Sequence, residues 1–129
     1  MERRLGVLLS VIALAVAACD TLIADRMTIR ATPPAPAPSA ADVLEAARGA
    51  LDDCGLARAE TQTRIDSDSL HWRNPKQPPG FHVMVHPEGD ALGVTVAQDL
   101  FGPIGPTDAY RCVTKKLRGR LKQHYFLSR

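Results

Sequence analysis

Net charge is almost missing from this chain: sixteen Lys and Arg against fourteen Asp and Glu leave +2 over 129 residues. That balance excludes a protein that wraps a polyanion by bulk charge. No Cys-x-x-Cys pair occurs, which argues against thiol–disulfide catalysis. No glycine-rich phosphate loop occurs, and no serine is flanked by glycines as a nucleophile elbow requires. The four histidines, His71, His82, His86 and His124, lack a companion set of metal ligands. His82 and His86 lie about 13 Å apart at strand rise, too far to share one ion. His71 could approach one of them across a sheet, but no cysteine or carboxylate completes the set. Asp66-Ser67-Asp68-Ser69 reads as a turn whose side chains bond their own backbone. No catalytic residue, metal ligand or cofactor is therefore expected. A small hydrolase gathering His71, His82, Asp66 and Asp68 is the remotest alternative.

What the chain does have is concentrated at its start. Met1–Arg4 is short and basic, and Leu5–Ala18 follows as an uncharged run. That length suits a signal-peptide core and is too short for a free-standing membrane span. The run ends in Val16-Ala17-Ala18-Cys19. An aliphatic residue, two small residues and a cysteine resemble the lipobox of bacterial lipoprotein precursors. The resemblance implies cleavage before Cys19, with a thioether lipid and an amide-linked acyl chain on that residue. Two or more acyl chains anchor a soluble domain stably, whereas one is marginal. Asp20 after the cysteine resembles the signal that retains lipoproteins in the inner membrane of enteric bacteria. The resemblance thus implies a periplasm-facing protein of the cell envelope, with the inner membrane favoured over the outer. It covers only the leader and assigns no activity.

Residues 19–38 read as a lipidated tether. Asp20–Arg30 lacks convincing periodicity, and Leu22, Ile23, Met27 and Ile29 could add a turn or two of helix near the bilayer. Ala31–Ser39 alternates Pro with small residues, which favours an extended polyproline spacer. Fully extended, Asp20–Pro38 would reach on the order of 60 Å. About 90 residues remain for a single modest core.

Residues 39–129 read as one α+β domain. Ser39 caps a helix with Asp42 completing a weak capping box. Val43, Leu44, Ala47, Ala50, Leu51 and Cys54 form one apolar stripe, and Gly55 with Leu56 ends it. Arg58–Ile65, Leu70–Arg73, Phe81–His86 and Ala91–Gln98 read as strands, the last two forming a hairpin through Pro87–Asp90. Asn74–Gly80, with three prolines, reads as a loop. Thr107 or Asp108 opens a second helix to about Phe126, with Tyr110, Val113, Leu117, Leu121 and Tyr125 along its stripe. The expected fold is a small antiparallel sheet of three or four strands. An N-terminal and a C-terminal helix flank it on one face, in the order α-β-β-β-β-α.

With Cys19 acylated, Cys54 and Cys112 remain as an even pair in an exported protein, which argues for a disulfide. Cys112 falls nearly opposite Leu117 and Leu121 on a helical wheel, so it must lie where the start of its helix meets the first helix. Charge is polarised along the chain. Ala109–Arg129 carries seven basic residues and no acid, whereas Asp20–Asp108 carries seven basic and thirteen acidic. Arg111, Lys115, Lys116, Arg118 and Lys122 are candidates for contact with an anionic partner. Their plainer role is a solvated helix face. Trp72 with the loop 74–81 is either a recognition edge or a cover for one end of the core.

The expected function is a membrane-anchored, non-catalytic binding or structural module of the envelope. Its partners would be the bilayer, through acylated Cys19, and another envelope protein. The alternative is a binder of anionic lipid or lipopolysaccharide through the basic C-terminal helix. Nucleic acid is excluded by the compartment.

Overall fold

A computed structural model describes residues 23–100, 102 and 104–128 of the chain. The apolar run, the lipobox with Cys19, and Asp20 lie outside the described residues.

The elements follow in the order β1 (Ala24–Ala31), α1 (Ala40–Asp53), β2 (Gln62–Ile65), β3 (Ser69–Arg73), β4 (Phe81–Glu88), β5 (Ala91–Gln98), α2 (Asp108–Lys122) and β6 (Tyr125–Ser128). All six strands join one antiparallel sheet in the order β2-β3-β4-β5-β1-β6. The expected sheet of three or four strands is therefore corrected to six. The two additional strands come from the segments read as a tether and as the end of a helix.

β1 overturns the reading of residues 19–38 as one extended spacer. Met27 and Ile29 point into the core, while Arg26 and Arg30 face the other way and are exposed. This period-two pattern places β1 between β5 and β6, paired with both. The inward position ahead of Met27 is Asp25, a charge that hides the alternation. It is neutralised far along the chain, where the Arg118 guanidinium grips it with two hydrogen bonds, the Nε one at 2.7 Å. The proline-rich run then carries the chain from β1 to α1, and Pro38 is buried against the domain. Among the described residues the domain thus takes in Ile23 and β1, ahead of Ser39.

The second helix was expected to reach Phe126, but α2 stops at Lys122. Tyr125 lies opposite Ala31 and Leu127 opposite Ile29 in the β1–β6 ladder. Both side chains pack at the margin of the core, while Phe126 is exposed. A short aromatic strand thus extends the stripe that helical spacing assigned to Tyr125. At the other edge, β2 is shorter than expected. Residues 58–61 form a turn in which the Thr61 hydroxyl donates to the carbonyls of Leu56 and Arg58.

α1 has the ends its sequence specifies. Ser39 accepts from the Asp42 amide, and Leu56 N–H donates to Leu51 while Gly55 N–H donates to Asp52. With Gly55 at φ +67°, this is a Schellman cap. The core gathers Val43, Ala47 and Leu51 of α1 and Val113, Leu117 and Leu121 of α2 against one face of the sheet. On that face Leu70, Trp72, Phe81, Val83, Val94 and Val96 meet them. Trp72 is 4% exposed, stacks on Phe81 and donates its indole N–H to Leu56, so it closes the core. Cys54 and Cys112 form a disulfide with Cα atoms 6.0 Å apart, tying the end of α1 to the early turns of α2. Closing a loop of this length restricts the unfolded chain by roughly 4 kcal/mol in the entropic model.

Candidate functional site

Among the described residues, the helices cover one face of the sheet and no element lies over the other. The sequence of β5 shapes what is found there. Its inward residues are Leu92, Val94, Val96 and Gln98, and its outward residues are Ala91, Gly93, Thr95 and Ala97. Small side chains thus run along the outer face of a central strand. The flanking strands carry larger ones: Met84 and Arg26 stand on either side of Thr95, and His86 and Thr28 on either side of Gly93. The His86 and Glu88 side chains fill the space above Gly93, and a groove stays open beside Thr95. Its open volume is about 720 Å³, lined by Arg26, Thr28, Ser69, His71, Met84 and Thr95 among others.

Three of the four histidines stand on this face. His71 and His82 oppose each other across the β3–β4 ladder and stack with ring centroids 5.6 Å apart. Of the two histidines that His71 could approach across the sheet, it meets His82, as a ring stack. His82 Nδ1 lies 3.2 Å from the Asp99 carboxylate. His86 Nε2 lies 3.0 Å from Glu88, whose other oxygen accepts from the Thr28 hydroxyl at 2.9 Å. The hydrogen bond from Thr28, and then that from His86, hold the Glu88 carboxyl below the usual carboxylate range. Gly93 lies beneath this pair, and a Cβ there would collide with the His86 ring.

Ser69 is nearly buried, 3.3 Å from His71 Nε2 and 3.5 Å from the Asp66 carboxylate. The order is Asp66, Ser69, His71, with the serine in the middle. A serine nucleophile needs the acid behind the histidine, orienting its second nitrogen. Here the acid holds the hydroxyl, so the trio fixes the β2–β3 turn against the ladder. Among the described residues, no group of three or more His, Cys, Asp or Glu is placed to hold a metal ion.

The proposed basic surface on α2 is partly spent within the domain. Arg118 is paired with Asp25, and Arg111 lies 3.8 Å from Asp108. The Asp25 hydrogen bonds raise the Arg118 pKa further. Arg120, outside the proposed set, grips Asp53 with two hydrogen bonds at 2.9 and 3.0 Å. Lys115, Lys116 and Lys122 remain exposed to solvent. The groove itself was missed at the sequence level. Its signal was present in the alternation of Ala91, Gly93, Thr95 and Ala97 with larger residues, of which only the apolar half was read.

No model of a known protein family matches this chain, and no curated protein matches it either.

Proposed function

We propose that this is an envelope lipoprotein, anchored through acylated Cys19, whose domain binds another envelope protein without catalysing a reaction. The observation that carries the binding role is the groove beside Thr95 on the sheet face opposite the helices. Thr95 gives it a small floor, Met84 is 38% exposed on one wall, and Arg26 on the other supplies a cation. Flexible thioether and guanidinium groups beside a preformed cleft suit a protein segment. Lipidation is supported by the leader and the Val16-Ala17-Ala18-Cys19 motif.

A photocrosslinking residue at Met84, expressed in the full chain in cells, tests the groove. It should give one adduct of defined mass, absent when Thr95→Trp fills the groove and absent from the same residue at Lys115. Equal labelling from both positions would overturn the groove assignment. Anchoring is checked separately: Cys19→Ser should leave the membrane fraction and lose the acyl mass.

The alternative, a binder of anionic lipid through α2, has fewer free charges than its sequence suggested, because Arg118 is occupied by Asp25. Binding to lipopolysaccharide that is lost in salt and on charge reversal of Lys115 and Lys116 would favour it.

A further inference from the structure

The anchor enters the domain at one end of the sheet, and that end carries exposed apolar side chains. β1 begins beside the end of β5, with Ala24 opposite Ala97 and the Gln98 N–H donating to the Ile23 carbonyl at 2.9 Å. Two residues past Gln98 comes Leu100, 55% exposed, and then Ile104, 45% exposed. They are two of the four large hydrophobics exposed among the described residues. The buried Gln98 side chain donates to the Gly105 carbonyl and accepts from the Thr107 amide, at 3.1 and 2.7 Å. Gln98 thus joins the entry of the chain to the segment that follows Ile104.

From this we infer that the Leu100 and Ile104 loop is a second membrane contact, resting on the lipid surface beside the acyl anchor. The inference rests on the lipoprotein reading. Cys19 is four residues from Ile23, a reach of at most about 14 Å. A bilayer holding the lipids of Cys19 therefore lies close to this end of the sheet, within reach of nearby side chains. Half-exposed Leu and Ile gain by leaving water for the interfacial layer.

The far turns, about 23 Å away at the rise of β4, carry Asp66, Asp68, Glu88 and Asp90 beside Arg30 and Arg64. The entry end carries Arg58, Arg73 and Lys76 beside Glu60, Asp99 and Asp108. Charge therefore does not set the two ends apart, and the contact rests on the apolar loop and the reach of the anchor. The contact orients the domain with its strands upright on the membrane and the groove facing sideways.

Brominated-lipid quenching tests this on the full acylated chain in vesicles of phosphatidylethanolamine and phosphatidylglycerol. Trp72 is buried and supplies a constant background. Leu100→Trp should show blue-shifted emission and lose its added intensity when the acyl chains are brominated near the headgroup. Asp90→Trp, at the far turn, should lose none. Equal loss from both variants, or none from Leu100→Trp while the protein stays acylated and bound, would overturn the loop contact alone. A chain that lacks acyl mass and does not float with vesicles would overturn the anchor and the contact together.

Discussion

Gly80 precedes β4 where the chain leaves the proline-rich loop, and its missing side chain is a packing requirement. A Cβ at this position would collide with the Trp72 carbonyl oxygen, a backbone atom in the adjacent strand. Backbone cannot move aside as a side-chain tip can. Gly80→Ala should therefore destabilise by about 1–3 kcal/mol, the usual range for overpacking, read as a lower urea midpoint with unchanged slope. Gly93 offers the contrast, since its obstacles are the ends of the His86 and Glu88 side chains. Charge at single residues sets the acid response. The hydrogen bond from Arg120 lowers the Asp53 pKa, as those from Thr28 and His86 lower that of Glu88. A depressed folded-state pKa contributes stability above the ordinary values of 3.8 and 4.5, which is lost as pH falls through the folded values. Asp53→Asn and Glu88→Gln should each flatten the decline of the unfolding midpoint below about pH 4.5. A decline as steep as that of the parent would contradict the assignment.

At the scale of elements, β1 depends on one pairing. Asp25 is the inward charge that makes a membrane-proximal tail look aperiodic, and Arg118 is the cation that makes it tolerable inside a sheet. Both side chains are about a quarter exposed, so the pair lies between the surface and buried cases. Asp25→Ala should cost about 1–2 kcal/mol, chiefly by leaving Arg118 unpaired. The double variant with Arg118→Met should recover part of that loss, and a purely additive result would count against the pairing. α1, the β4–β5 hairpin and the disulfide were legible because their signals are local: a cap, an alternation, an even cysteine count. β1 and β6 were not, since β1 becomes a strand only by pairing with β5 and β6, and β6 only by pairing with β1. Tyr125 continued the stripe of α2 by spacing alone, and nothing nearby marked the end of that helix with glycine or proline. The site divided the same way. The histidines were visible, but the stack of His71 on His82 and the groove over Thr95 needed the register between strands.

At the scale of the molecule, the sheet closes around a strand contributed by the segment just after the Val16-Ala17-Ala18-Cys19 motif. β1 is the only partner of β6 and the partner of β5 on its outer edge among the described residues. A chain beginning at Ser39 would lack Met27 and Ile29 from the core and Asp25 from Arg118. β6 would then have no ladder to join, and the β5 edge would stand open to pairing with other chains. The losses compound, because two buried apolar side chains alone represent roughly 3–6 kcal/mol of transfer free energy. Total stability of a small domain is itself only about 5–15 kcal/mol. The protein lacking residues 1–22 should fold, giving a single cooperative thermal transition and dispersed amide resonances. The protein lacking residues 1–38 should aggregate or show collapsed dispersion, even with Cys54 and Cys112 oxidised. Cooperative unfolding of the shorter protein at a similar temperature would refute the place of β1 in the sheet. It would restore the proline run, with the segment before it, as a spacer outside the domain.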